Sequence, residues 1–146
     1  LKKDDVIITK DSEDWRDIAV PSYVHTDLPS IICGYHLAQI KPKLSKIIGR
    51  YLFWSFYSRN INHQFVIAST GITRFGLGKY WLDNSLFFIP PTEEQQAISD
   101  YLDRETSRID RLVAKINQAI GKLQEYCSTL ITATVTGKID VRKEIT

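Results

Sequence analysis

The chain has 146 residues, of which 43% are hydrophobic and 25% are charged, and its net charge is +2. This composition is that of a soluble globular protein, and the length fits one domain, or a smaller domain with an appendage. No apolar run approaches the roughly 18 residues that a membrane-spanning helix needs, and no signal peptide opens the chain, which excludes a membrane protein and favours a cytoplasmic one. Cys33 and Cys127 are therefore expected to be reduced thiols. Because methionine is absent even at position 1, we expect the chain to begin inside a longer polypeptide.

The first part of the chain predicts a mixed α/β (α+β) globule. Short β-branched runs, bounded by polar turns and glycines, are typical of strands. Between residues 43 and 58 the apolar residues instead recur every three or four positions, which predicts an amphipathic helix. The expected strands lie at residues 4–10, 17–24, 30–42, 65–68 and 86–89.

A long helix is predicted after Pro90 and Pro91, because proline pushes the residue before it out of helical geometry. Thr92, followed three residues later by Gln95, has the pattern of a capping box, and Gly137 suits the C-terminal end. The helix should run from residue 93 to about 135, which is about 64 Å at 1.5 Å per residue. The sequence therefore divides into a globule at 1–91, a helix at 92–137 and a tail at 138–146.

Apolar residues recur along this helix at the a and d positions of a heptad repeat. A small globule would have to be unusually elongated to cover so long a stripe by itself. The stripe therefore predicts a partner helix in another part of the polypeptide, in a second copy or in another subunit. The expected interface residues are Ile98, Leu102, Ile109, Leu112, Ile116, Ala119, Leu123 and Leu130.

Charge is distributed unevenly along the chain. Residues 1–27 carry a net charge of −3, whereas residues 41–79 contain seven bases and no acid. Such a one-signed segment favours a polyanion such as nucleic acid, although a solvated surface would also explain it. The residues expected to attract phosphates are Lys43, Lys46, Arg50 and Arg59.

The glycine-punctuated loop at residues 71–78 is a candidate reader of DNA bases. Arginine can contact guanine with two hydrogen bonds, threonine can bond either base type, and lysine can neutralise a phosphate. An ordinary surface loop is the alternative interpretation. The candidate contact residues in and around this loop, with one from the first strand, are Lys10, Thr70, Thr73, Arg74 and Lys79.

No pattern typical of catalysis or metal binding is present. The three histidines lack the spacing of metal ligands, and no phosphate-binding loop or dinucleotide fingerprint occurs. The sequence therefore predicts no catalytic residue, no metal site and no cofactor. A nuclease or methyltransferase would need a cofactor site, so S-adenosylmethionine binding by the isolated chain would contradict this prediction.

Three motifs in residues 89–142 resemble the conserved region of the specificity subunit of type I restriction–modification systems. They are Pro-Pro-x-x-Glu-Gln, Leu-Asp-x-Glu-Thr-x-x-Ile-Asp and Leu-Ile-x-x-x-Val-Thr-Gly-Lys-Ile-Asp-Val, in that order. Segments such as "CGYHLAQIKP" and "STGITRFGL" resemble the target-recognition domain of this family. The chain departs from the family pattern in having one domain and one helix, and we expect the N-terminal part of that domain to be missing. It also carries Asp4 where the resemblance implies that glycine is frequent.

The resemblance implies a non-catalytic subunit in which each recognition domain reads one half of a bipartite site in double-stranded DNA. Long helices that pair as an antiparallel coiled coil set the spacing, and a chain with one helix would form a homodimer or pair with a second specificity half. Modification (methyltransferase) and restriction subunits dock on it, and S-adenosylmethionine, ATP and Mg would belong to them. The alternative is a coiled-coil interaction module without DNA specificity.

Overall fold

The computed structural model describes residues 1–142. The chain forms two compact units, one at Leu1–Leu102 and one that begins at Asp103. In chain order the elements are β1 (Val6–Thr9), β2 (Asp11–Ser12), a 3-10 turn (Trp15–Asp17), β3 (Pro21–Tyr23), β4 (Leu37–Ile40), α1 (Gly49–Tyr57), α2 (Arg59–Ala68), β5 (Phe75–Gly76), α3 (Lys79–Asp83) and α4 (Thr92–Val135).

The larger sheet has the strand order β3-β1-β4, and both pairs are antiparallel. The central strand β1 is β-branched, and its Val6 and Ile8 are fully buried on the face that packs against the helices. The strand prediction over residues 4–10 is therefore confirmed. Of residues 30–42, only Leu37–Ile40 forms a strand.

The helix predicted over residues 43–58 forms at α1, but the strand predicted at 65–68 is wrong, because these residues belong to α2. Ile61, Phe65 and Ala68 are spaced by four and three residues and are all buried, which is the periodicity of one helix face. The ring of Phe65 stacks on Phe56 of α1 with 5.4 Å between centroids. Two short helices thus supply much of the core against which β1 packs.

The strand predicted at residues 86–89 is also wrong, because this segment has no regular secondary structure. Side chains rather than a neighbouring strand satisfy its backbone. Gln64 accepts from the amide of Leu86 at 2.9 Å and donates to its carbonyl at 3.0 Å. The Tyr51 hydroxyl donates to the carbonyl of Phe88 at 3.0 Å. This run of four consecutive apolar residues therefore lacks the strand-to-strand hydrogen bonds of a sheet.

Asp4 adopts a φ of 71°, in the left-handed region that favours glycine. The Tyr23 hydroxyl donates to the Asp4 carboxylate. Asp4 also lies against Gly49, where an added Cβ would be 2.2 Å from the Asp4 carbonyl oxygen. The start of α1 therefore requires glycine at position 49.

The long helix is confirmed at Thr92–Val135, but the capping box predicted at its start is wrong. The side chain of Gln95 is fully buried and points into the first unit. Its amide donates to the carbonyls of Lys46 and Pro90, both at 2.8 Å. Its oxygen accepts from the amide of Ile48 at 2.9 Å. Gln95 thus joins α4 to the segment before α1 instead of capping its own helix.

The C-terminal end of α4 is as predicted, because Gly137 has a φ of 74°. Its amide donates to Thr134 at 3.1 Å and that of Lys138 donates to Ala133 at 2.8 Å, which together form a Schellman motif. Of the predicted tail at 138–146, residues 143–146 lie outside the described part.

The apolar stripe of α4 changes character along its length. Ile98 and Leu102 are half-buried in the first unit. Beyond Leu102, the large apolar members of the stripe are exposed. Its large members are 42–67% exposed at Ile109, Leu112, Ile116, Leu123 and Leu130, and Ala119 is also exposed. Pairing with another helix remains a prediction, for which this exposed stripe supplies the surface.

Cys33 and Cys127 are free thiols. Cys33 is half-buried, and desolvation raises the pKa of its thiol despite the opposing charge of Lys10. Cys127 is exposed on α4. No helix among the described residues combines the length and apolarity needed to cross a bilayer.

Candidate nucleic-acid interface

Lysines from separate parts of the sequence meet around a cavity of about 530 Å³ in the first unit. We call this cavity the lysine cleft. Its floor is apolar and includes Ile40, Ile47, Leu52, Leu82 and Phe87. The lysines that line it are Lys41, Lys43, Lys46 and Lys79.

Local structure places these lysines. Lys43 and Lys46 lie on one turn, in which the carbonyl of Lys43 accepts from the amides of Lys46 at 2.8 Å and Ile47 at 3.0 Å. Gln95 binds the carbonyl of Lys46 and so fixes this turn to the start of α4. Lys79 is the first residue of α3. The structure therefore brings together three predicted contact residues, namely Lys43, Lys46 and Lys79.

The charge of the lysine cleft is strongly positive. Among its described lining residues, Asp83 is the one acid, and it pairs with Lys79. Lys41, Lys43 and Lys46 are exposed and have no ion pair within residues 1–142. Unpaired ammonium groups along one rim attract a polyanion, and binding there would release its counterions. The lysine cleft can therefore hold phosphate groups.

A second cluster surrounds Arg74, and we call it the arginine clasp. It consists of Asp11, His36 and Arg74. Strands β2 and β5 pair antiparallel, with Asp11 opposite Gly76, and this pairing brings Arg74 to Asp11 across 63 residues of sequence. The loop before β5 is tight, because Gly71 has a φ of 149° and an added Cβ would be 1.8 Å from the Arg74 carbonyl oxygen.

The guanidinium of Arg74 is held at two of its nitrogens. Nε donates to Asp11, and Nη2 lies 3.0 Å from Nδ1 of His36. Because a guanidinium has no acceptor, Nδ1 is the acceptor in this contact. Nδ1 is also 3.3 Å from the Asp11 carboxylate. One ring nitrogen of His36 thus lies beside both members of the Arg74–Asp11 pair.

Asp11 remains ionised in this cluster. Desolvation acts to raise the pKa of Asp11, but the pKa is lowered, with the hydrogen bond and the positive charge of Arg74 among the causes. The Arg74 side chain is 44% exposed, and Glu13 approaches its Nη1 at 3.7 Å, outside hydrogen-bond range. The arginine clasp is therefore a charge-paired guanidinium that still faces solvent.

The other predicted contact residues are placed differently. Lys10 lies next to Asp11 with its ammonium 4.7 Å from the centre of the Tyr35 ring. Thr70 is exposed and bridges Gly76 through backbone hydrogen bonds. The remaining three do not line the lysine cleft: Thr73 and Arg59 are exposed, and Arg50 pairs with Asp100 of α4 at 3.1 Å.

The sequence pattern missed Lys41, Asp11 and His36 of these two clusters, and it missed Gln95, which fixes the turn that carries Lys46. Lys41 belongs to the basic segment but is not among the predicted contact residues. The acids near residue 11 suggested only a polar turn, because the pairing with Arg74 depends on strands far apart in sequence. Within residues 1–142, no three His, Cys, Asp or Glu side chains form a metal-binding group.

Comparison with known families decides what kind of domain carries these clusters. The model of the type I restriction modification DNA specificity domain matches residues 1–122. The chain belongs to this family. No match was found among the curated proteins.

The specificity domain so matched contains the lysine cleft, the arginine clasp and most of α4. It is the DNA-binding, target-recognition part of a restriction–modification system, and such domains are in general non-catalytic. The resemblance seen in the sequence is thereby confirmed. The last of the three sequence motifs lies beyond the matched residues.

Proposed function

We propose that this specificity domain reads one half of a bipartite site in double-stranded DNA. The lysine cleft would contact the sugar–phosphate backbone, and residues around the arginine clasp would approach the bases. The convergence of Lys43, Lys46 and Lys79 on one cleft carries this proposal, since these residues are separated by as many as 36 positions in the sequence. Backbone contacts fix register, and base contacts provide sequence preference.

We further propose that α4 pairs antiparallel with a second such helix, either in a homodimer or in another specificity half. The exposed large residues from Ile109 to Leu130 support this, because a continuous apolar stripe on a surface helix is unfavourable in water. Modification and restriction subunits would dock on the paired helices. The chain itself would perform no catalysis and would need no cofactor, whereas its partners would use S-adenosylmethionine, ATP and Mg.

The test is the salt dependence of binding to a fluorescent duplex pool of random sequence, measured by anisotropy with the full chain. Each lost phosphate contact lowers the slope of log affinity against log salt by about 0.9. The double variant Lys43→Ala/Lys46→Ala should therefore reduce the slope by about 1.8. Lys2→Ala/Lys3→Ala removes the same charge from exposed residues that do not line the lysine cleft.

Equal slopes for these two double variants would contradict the placement of DNA at the lysine cleft. If the unmodified chain binds no duplex even at low salt, the proposal of DNA reading fails for this chain. Self-association without DNA binding would favour the alternative, a coiled-coil interaction module.

A further inference from the structure

We propose that Asp11 is a positioning residue that orients Arg74 to recognise a guanine in the major groove. This inference rests on the proposed function, since it concerns how the same domain selects its sequence. The observation behind it is the arginine clasp, in which two strands distant in sequence hold one exposed guanidinium.

The first step is the geometry of the guanidinium that remains available. Arginine has five N–H groups in a fixed plane. In the arginine clasp, the Nε hydrogen goes to Asp11 and one Nη2 hydrogen goes to His36. Nη1 has no hydrogen bond within the described residues, since Glu13 is 3.7 Å away. The edge formed by Nη1 and Nη2 therefore keeps donors for an external pair of acceptors.

The second step is the kind of acceptor that suits this edge. Two acids, Asp11 and Glu13, lie beside Arg74 and offset its attraction for phosphate. Asp11 is ionised and balances the charge of the arginine. The acids around this charge-balanced guanidinium repel an anionic acceptor but do not repel a neutral one. Guanine offers two neutral acceptors, O6 and N7, at the spacing of a bidentate contact.

The third step is rigidity. An unrestrained arginine loses side-chain entropy when it binds, so a carboxylate that already fixes its rotamer lowers this cost. Asp11 is itself fixed by the pairing of β2 with β5, and the tight turn at Gly71 fixes the backbone that leads to Arg74. In this arrangement the lysine cleft supplies affinity for DNA, and the arginine clasp supplies selectivity among base sequences.

The experiment selects bound duplexes from a random pool with the full chain and compares the base enriched at each position. The unmodified chain should enrich a motif that contains guanine. Arg74→Lys keeps the charge but loses the planar edge, and Asp11→Ala loses the orienting carboxylate. Both should reduce guanine preference at the same single position by roughly tenfold to a hundredfold, while other positions keep their preference.

Glu13→Ala is the matched control, because it removes an acid beside Arg74 that makes no hydrogen bond to it. It should leave the guanine preference in place. Asp11→Ser repeats the measurement if Asp11→Ala does not fold, as judged by circular dichroism. A merely structural role for Asp11 would lower preference at all positions together.

The inference is overturned if the unmodified chain selects a motif and both variants keep the same base at every position. That result would leave the proposed function intact. If the unmodified chain binds duplexes but enriches no sequence, the proposed reading function itself fails, and the role of Asp11 fails with it.

Discussion

Replacing Gln95 with alanine removes the side chain that joins the start of α4 to the segment before α1. The buried amide makes three hydrogen bonds, to the carbonyls of Lys46 and Pro90 and from the amide of Ile48. A buried polar group left without its partner costs about 1–3 kcal/mol. These backbone groups are only part-buried, so water can replace some of the bonds. We therefore expect a loss of about 2–4 kcal/mol in the free energy of unfolding.

The assay is urea unfolding followed by tryptophan fluorescence. All three tryptophans, at positions 15, 54 and 81, lie in the first unit, so the signal reports on that unit alone. Gln96→Ala is the matched control. Gln96 is exposed, with one surface hydrogen bond to Asp100, and its loss should cost at most about 0.5 kcal/mol. If Gln95→Ala and Gln96→Ala unfold at the same urea concentration, Gln95 does not hold the two segments together.

Gln95→Glu separates the donors from the acceptor. A carboxylate can still accept from Ile48, but it cannot donate to the two carbonyls, so destabilisation at neutral pH should be comparable to that of alanine. Burial and the facing carbonyls should raise the pKa of this carboxyl above its unfolded value. Its protonated form is then favoured in the folded state, so the loss should shrink as the pH falls through the raised pKa and approaches the unfolded value. A loss that is independent of pH would refute this account of the site.

Three further predictions concern close packing and the exposed stripe. Gly49→Ala should destabilise the first unit by about 1–3 kcal/mol in the same urea assay, since its Cβ would meet Asp4 at 2.2 Å, and a neutral effect would contradict the contact. Gly121→Ala should stabilise α4 by about 1 kcal/mol, because alanine favours a helix and its Cβ would meet nothing within 4 Å. Thermal denaturation followed by circular dichroism measures this, and a less stable α4 would contradict the prediction. Ile116→Glu should abolish self-association in sedimentation equilibrium, whereas Ala114→Glu, two residues away and outside the a and d positions, should not. Equal behaviour of the two variants would refute pairing through the stripe.

The elements that the sequence predicted correctly are those specified by local chemistry. β1 is a β-branched run that stays buried at the centre of its sheet, and α4 has a strong heptad period with a glycine at its end. The prediction at 65–68 was wrong because four residues are too few to show a period. Extending the window to Ile61 reveals the helical spacing of the buried face.

The candidate site was predictable in composition but not in geometry. An acid-free run of seven bases indicates a polyanion surface, and all four of its lysines converge on the lysine cleft. Which of the seven are already engaged depends on tertiary structure. Arg50 pairs with Asp100, and Arg74 pairs with Asp11, and both partners lie outside the basic segment. The role of Gln95 was missed for the same reason, since its three partners precede it in the chain by 5 to 49 residues.

The different environments of the two thiols make the chain suitable for single-site labelling. The raised pKa of Cys33 lowers its thiolate fraction at neutral pH, and the group is half-buried, so a maleimide should react first with Cys127. A pyrene attached to Cys127 would then report helix direction in a dimer. Parallel, in-register helices bring the two dyes together and give excimer emission, whereas antiparallel helices do so only if they cross near residue 127.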